Sequence, residues 1–312
     1  MLTYAEVKKK PSRFLSITGL TIAEFEALLP SFEQAWDADI EQRLANQKRM
    51  RKVGGGRKPV LVNNEARLLF ILVYFKLYLL QETQGLLFGL SQSQTNEWIH
   101  RLTPILRAAL GREKILPERD PDKVKEVLSE YLLLSFTVDG TERRLQRPLD
   151  SEEQKEYYSG KKKAHTLKND VIAHTETGKV CFLSQTYPGK THDKRICDEE
   201  GYSFPHLAEL AKDTGFQGYE PVGVISYQPK KKPRGGQLTT GERFFNSVIA
   251  SLRISVENIL CGVKRCRIVK DIFRNHRKGF TDSVMEIACG LHNLRVHHRH
   301  PIPHFDLLEL CT

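Results

Sequence analysis

The spacing of hydrophobic positions changes along the chain from helical to strand-like and back. Ile17, Leu20, Ile22, Phe25, Leu28 and Leu29 recur at helical spacing, and Thr21 with Glu24 three residues on forms a capping-box pattern at their start. After a polar stretch the helical period returns and predicts helices over 65–80, 81–88 and 93–109. From residue 132 the apolar runs shorten to strand length. Segments 132–138, 166–174, 180–186, 210–213 and 222–227 read as strands, the first three as an antiparallel meander, with a helix after Thr191. Phe244, Phe245, Val248, Ile249, Leu252, Val256, Ile259 and Leu260 then mark a long amphipathic helix over 240–264. The most apolar stretch, 68–80, is interrupted by Lys76 and too short for a bilayer, so it reads as a buried helix and no membrane partner is expected.

These shifts predict an N-terminal helical segment at 1–47, a linker at 48–63, a helical region at 64–125, an α/β domain at 126–300 and a tail at 301–312. The linker holds Lys48-Arg49-Met50-Arg51-Lys52-Val53-Gly54-Gly55-Gly56-Arg57-Lys58-Pro59, which cannot build a core. It suits an arm that enters a minor groove or tracks phosphates, and equally a flexible hinge. In the helical region the break Phe88-Gly89-Leu90-Ser91 separates a short helix from a longer one, the layout of a helix-turn-helix. The second helix of that motif turns its N-terminal residues to base edges in the major groove. Gln92, Gln94, Thr95 and Asn96 offer amides and hydroxyls for adenine or phosphate, and Arg101 is placed to reach the backbone. An ordinary three-helix bundle with solvated amides, and with Trp98 and Leu102 in its core, fits the same pattern.

Charge favours a polyanionic partner. The 312 residues carry a formal net charge of +10, and counterion release on neutralising phosphates drives such binding. The run Lys8-Lys9-Lys10 reads as a solvated face, whereas three others follow candidate site segments and are placed to line one groove. These are Lys161-Lys162-Lys163, Lys230-Lys231-Lys232 with Arg234, and Lys264-Arg265 with Arg267 and Lys270. Six cysteines without C-x-x-C spacing, and no secretory signal, predict a reducing cytoplasm and no disulfides. A zinc site from Cys261, Cys266, Cys289 and His292 or His297 matches no usual ligand spacing.

Three acids stand out. Asp139 closes the run ending Phe136-Thr137-Val138 and precedes Gly140, so it reads as a strand-end carboxylate offered to a cleft. Asp213 follows Ala211-Lys212 and precedes Thr214-Gly215, and Glu257 rides the long helix one turn after Arg253. Two strand-end aspartates and one helix-borne glutamate can converge on hard cations such as Mg²⁺ or Mn²⁺. His192-Asp193 opens the helix after Pro188-Gly189, and Asp193 reads as its cap rather than as a metal ligand.

From about Phe136 to Arg299 the chain resembles the DDE transposases of bacterial insertion sequences, most closely the insertion-sequence-five group. The resemblance rests on Val138-Asp139-Gly140-Thr141-Glu142, Gln154-Lys155-Glu156-Tyr157-Tyr158-Ser159-Gly160-Lys161-Lys162-Lys163, and His165-Thr166-Leu167-Lys168-Asn169. It continues in Pro188-Gly189-Lys190-Thr191-His192-Asp193, Asp213-Thr214-Gly215-Phe216-Gln217-Gly218 and Pro229-Lys230-Lys231-Lys232-Pro233. Arg253, Glu257 and Lys264 match the spacing of an Arg four before and a Lys seven after the catalytic Glu. A related signature has Tyr where this chain has Ala250, so any role of that Tyr does not carry over.

The resemblance implies an RNase H-like, retroviral-integrase-like mixed sheet behind an all-α helix-turn-helix region. It implies Asp139, Asp213 and Glu257 as catalytic ligands of two divalent ions about 3.5 to 4 Å apart, with Arg253 and Lys264 holding DNA phosphates. Because His192-Asp193 is one of its motif elements, it leaves open an accessory role near the metals for Asp193. The implied reaction is hydrolysis that exposes a 3′-hydroxyl, then attack of that hydroxyl on target DNA, with no covalent protein intermediate. The implied partners are double-stranded transposon ends and target DNA, with a homodimer assembled on them. A domesticated or inactive DNA-binding derivative, and a host nuclease that cuts without joining, share the same triad.

Overall fold

The computed structural model describes residues 1–45, 59–233, 235–277 and 279–299, without the side chains of Ser251, Leu252 and Arg253. Most of the expected linker at 48–63, and the expected tail at 301–312, lie outside the described residues, as does Arg234.

The chain opens with helices α1 (Tyr4–Lys8), α2 (Pro11–Thr18) and α3 (Ile22–Ala45). The capping box forms as expected: the Thr21 N–H donates to Glu24 Oε2 at 2.7 Å, and the Glu24 N–H donates to Thr21 Oγ1 at 3.2 Å. The helix outruns the segment that predicted it, because Phe32, Ala35 and Trp36 prolong its buried stripe. Then come α4 (Asn64–Leu77), α5 (Gln81–Phe88) and α6 (Gln92–Arg112), close to the expected bounds. Every residue of α4 from Arg67 to Phe75 is buried, as befits a helix that is apolar on all faces and packed on all sides.

After α7 (Val124–Ser129) the chain enters the sheet. The order is β1 (Ser135–Arg144), α8 (Ser151–Tyr157), β2 (Tyr158–Ser159), β3 (Ala164–His174), β4 (Val180–Leu183), β5 (Tyr187–Pro188), α9 (Asp193–Glu200), β6 (Glu209–Lys212) and β7 (Ile225–Tyr227). Helices α10 (Thr240–Val263), α11 (Arg267–Lys270) and α12 (Phe280–Arg299) follow. The strands align as β2-β3-β1-β6-β7, with β4 and β5 also paired to β3. β1 and β3 are antiparallel, whereas β1, β6 and β7 run parallel, so the sheet is mixed with β1 at its centre.

Two expectations need correction. Leu132 and Leu133 are not buried strand residues: they are 93% and 59% exposed, and β1 starts at Ser135. Nor does Asp139 end the strand. β1 continues through Gly140 to Arg144 because β3 supplies partners along that whole length, from Asp139↔Val171 to Arg144↔Thr166.

Alternation along the strands splits the core in two. Phe136, Val138 and Ile172 face a layer with Val124, Leu128, Cys197 and Leu210, on the α7 and α9 side. Val171, Ala173 and Leu183 face Ile259 and Leu260 of α10, in a cluster continuous with α3, α4, α6 and α12. The helical half therefore shares its core with one face of the sheet. Among the described residues α10 is also the helix long and apolar enough to cross a membrane; its second half buries Val256, Ile259, Leu260 and Val263 in the protein.

Candidate active site

Asp139 and Asp213 come from neighbouring parallel strands. The register Thr137↔Ala211 and Val138↔Lys212 makes them the next two facing positions, one strand spacing of about 4.8 Å apart along the sheet. Each is half-buried. Asp139 pairs with Val171, so its side chain shares the face on which Ile259 and Leu260 of α10 pack. Lys212 pins the end of β6 from the opposite face, its fully buried ammonium donating to Glu220 Oε1 at 2.7 Å and to the Tyr219 carbonyl. Asp213 then turns the chain: its Oδ1 accepts the Thr214 N–H and hydroxyl, and its carbonyl accepts Gln228 Nε2 at 2.6 Å.

Helix α10 crosses this face, packing on β1 and β6, with Glu257 on its exposed side. Lys264 caps the helix C-terminus. Burial first, and Lys162 next, pull its ammonium below the ordinary lysine value, while Asp139 and Glu142 act in the opposite direction. Lys264 is therefore within electrostatic reach of both Lys162 and Asp139. The Arg253 side chain lies outside the described residues.

On the opposite face lies a charged layer that the spacing of acids did not reveal. Asp170 is fully buried on β3, its Oδ1 without a hydrogen-bond partner and its Oδ2 3.4 Å from Cys197 Sγ. Burial, and then Asp193 beside it, hold its carboxyl well above the usual carboxylate range. Lys168 Nζ lies 3.0 Å from Asp193 Oδ1 and 4.0 Å from Glu142 Oε1, and donates to the Thr191 carbonyl at 2.7 Å. Asp193 is not the cap expected of it. His192 holds the N-cap position of α9 without a side-chain bond, and Asp193, the first helical residue, turns to Lys168 instead. The available signal was a charged Lys168-Asn169-Asp170 triplet inside an otherwise apolar strand, since buried charges persist only where they are paired.

The basic runs differ in how they are held. Lys161, Lys162 and Lys163 are exposed between β2 and β3, the Lys162 N–H donating to Ser159 Oγ at 3.2 Å. Lys230 reaches Glu242 at 3.3 Å, Lys231 donates to Gln217 at 2.6 Å, and Lys232 is exposed.

The helix-turn-helix forms from α5 and α6, and its tightest point is Gly85. A Cβ there would lie 2.5 Å from the Leu90 carbonyl oxygen and 2.9 Å from Thr95 Oγ1. Three of the expected base or phosphate contacts are taken up by the fold. Thr95 is fully buried and donates to the Ser91 carbonyl at 2.9 Å. Gln94 closes a capping box with Ser91. Arg101 bonds Asp39 and stacks over Trp36, which itself stacks on Trp98. Gln92 is exposed and donates to Gln81 at 2.6 Å, and half-buried Asn96 lines a surface groove with Tyr78, His100, Arg274 and His276.

The donors suit hard cations in type, since Asp139, Asp213 and Glu257 all offer carboxylate oxygen. Among the described residues no three His, Cys, Asp or Glu side chains are grouped so as to hold a metal ion, so Glu257 does not join the two aspartates in one ligand group. The structure brings Asp139 and Asp213 together at the sheet, and leaves Glu257 exposed on the helix that crosses it.

Comparison with known proteins adds the family. Residues 138–293 match the DDE superfamily endonuclease family, and residues 61–112 match the helix-turn-helix of DDE superfamily endonuclease. A probable transposase for insertion sequence element IS702 from Microchaete diplosiphon is 29% identical over 261 residues, covering 84% of this chain and 90% of that protein. No solved structure matches. Two separate stretches of the chain agree, in their order, with the two parts of one kind of enzyme, and the protein belongs to the DDE superfamily, among the transposases of insertion sequences.

Proposed function

We propose that this transposase binds the ends of its element as duplex DNA, cuts them in a metal-dependent step and joins the exposed 3′-hydroxyl to target DNA. The observation that carries the reading is the adjacency of Asp139 and Asp213 on parallel strands beneath the helix that bears Glu257. The strand order, with β3 and β4 antiparallel on one side of β1 and β6 and β7 parallel on the other, supports an RNase H-like domain.

Asp139 and Asp213 would hold Mg²⁺ or Mn²⁺ from the sheet and Glu257 from α10. Bound there, a pair of such ions stabilises charge on the attacking and leaving oxygens of a phosphodiester. The chain's own contribution is placement. Lys264, near Asp139, and Lys162, near Lys264, oppose the phosphate charge; Lys161, Lys163 and the 230–232 run extend that basic surface. Gln92 and Asn96 at the start of α6 are the side chains left to face bases. A homodimer assembled on DNA would bring two ends together.

The test is cleavage and joining of duplexes carrying the element's termini, with Mg²⁺ or Mn²⁺. Asp139→Ala, Asp213→Ala and Glu257→Ala should each abolish both steps and leave end binding intact. Cutting at the parental rate by the Asp139 or Asp213 variant overturns the site; cutting without joining by the parent protein overturns the transfer step.

A further inference from the structure

We propose that Asp193 is a positioning residue that sets the spacing between Asp139 and Asp213, an inference that rests on the metal-site reading above. Each aspartate is followed closely by a glycine, and both glycines meet the same carboxylate. A Cβ built on Gly140 would lie 2.7 Å from Asp193 Oδ1, and one on Gly215 would lie 2.6 Å from Asp193 Oδ2. Real Cβ atoms do not approach that closely, so the Asp193 carboxylate occupies the space that the two missing side chains leave. One oxygen braces the segment after Asp139 and the other braces the segment after Asp213.

The brace is itself held. Lys168 Nζ sits 3.0 Å from Asp193 Oδ1 in an ion pair that lacks hydrogen-bond alignment, and it also donates to the Thr191 carbonyl two residues before Asp193. Both partners of the pair are largely buried, with side-chain exposures of 10% and 20%. Pairing with a cation offsets the cost of burying the Asp193 charge, and the low local dielectric makes displacement of the carboxylate costly. The residue acts from behind the sheet: Gly140 pairs with Asp170, and this rung faces away from the Asp139 face. Asp193 therefore shapes the site without joining its ligands. A residue that orients metal ligands from behind typically affects metal affinity or activity by about 10- to 100-fold.

The test uses the full-length chain and Mn²⁺ alone, with binding followed by electron paramagnetic resonance and folding by thermal denaturation. Asp193→Asn keeps the shape and removes the charge. We expect it to melt close to the parent and to need about tenfold more Mn²⁺ for half-saturation. A double-mutant cycle keeps the question answerable even if that variant is unstable: Gly140→Ala should weaken Mn²⁺ binding strongly in the parent and much less in an Asp193→Ala background, because the clash is gone. Parental Mn²⁺ affinity in Asp193→Asn, or additive losses in the cycle, overturn the proposal. Asp139→Ala is the control for the underlying reading. If it binds Mn²⁺ as the parent does, the metal site itself is wrong and the role of Asp193 falls with it; if it loses Mn²⁺ while the Asp193 variants do not, only the positioning role fails.

Discussion

Asp139 and Asp213 stand one step beyond the rung Val138↔Lys212, so two carboxylates from segments more than seventy residues apart in sequence are neighbours across a single parallel strand pair. Their backbones are held by different means, Asp139 by continued pairing with β3 and Asp213 by its own turn with Thr214 and by Gln228. Two like charges at strand spacing repel, and a divalent cation held by these carboxylates would offset that repulsion. Asp139→Asn and Asp213→Asn should therefore each lower the cleavage rate by about a thousandfold or more, the several kcal/mol that metal stabilisation supplies. The double variant should be no worse than either single one, since residues that act as a unit are not additive. Rates measured under single-turnover conditions decide this, and multiplying losses would mean two separate sites.

The adjacency of the two aspartates was legible because apolar runs mark strands and an acid beside each run stands out, although only Asp213 lies at a strand end. The capping box of α3 and the buried second half of α10 were legible for the same reason, that helical spacing is local, whereas Phe244, Phe245 and Val248 of the same stripe are exposed. What the spacing did not carry is register. The extension of β1 past Asp139 depends on rungs such as Glu142↔Lys168 and Thr141↔Asn169, where backbone pairing needs no apolar side chain. The exposure of Leu132 and Leu133 depends on where the sheet begins, which an apolar run does not encode. Thr95 and Arg101 had suitable chemistry for DNA, but Thr95 is buried against Ser91 and Arg101 is paired with Asp39 and stacked on Trp36, and the latter two partners lie more than sixty residues away. Asp193 was read from its place at a helix start, while its partner Lys168 sits on a strand 25 residues earlier.

The turn of the helix-turn-helix should be more sensitive at Gly85 than at Gly89. Gly89 ends α5 at φ +70°, and a Cβ there would meet only the flexible Met1 side chain and Val60. Gly89→Ala should cost about 1 kcal/mol, the penalty of a left-handed backbone for an L-residue. At Gly85 the obstacle is the Leu90 carbonyl, which cannot give way without moving the turn. Gly85→Ala should cost at least about 2 kcal/mol, within the range of overpacking. Denaturant midpoints of the two variants make the comparison, and equal midpoints would mean that α5 and α6 do not pack through that glycine.

Lys264 offers a test of electrostatics at the end of α10. If it meets a phosphate, Lys264→Ala should weaken binding of every duplex to a similar degree and make the salt dependence shallower by about one unit of slope. The change should not depend on the sequence of the terminus. Filter-binding or anisotropy titrations over a range of salt concentrations measure it. An unchanged slope would assign Lys264 to the cap of α10 and to the field of Asp139 alone.

His292 ties α10 to α12, and its titration should make the fold sensitive to acid. The ring is 7% exposed, its Nε2 lies 2.9 Å from the Gly178 carbonyl, and its Nδ1 would sit 2.3 Å from a Cβ on Gly262 near the end of α10. Donation by Nε2–H to that carbonyl holds the neutral tautomer. Burial pulls the pKa down from 6.5 to about 4, with Arg295 and Arg265 adding to it against the hydrogen bond to Gly178. Above pH 6.5 the ring is neutral in both folded and unfolded chains, and its stabilising contribution is complete. As the pH falls from 6.5 towards 4 the unfolded chain takes up a proton that the folded chain excludes, so stability is lost progressively across that window. The loss amounts to roughly 3 kcal/mol for a shift of this size. His292→Gln removes the titration, so its stability should fall less than the parent's between pH 6.5 and 4, whatever its starting value. Urea denaturation of both proteins at a series of pH values reads the difference. Parallel curves would mean that His292 takes up its proton in the folded state and that another group sets the acid limit of the fold.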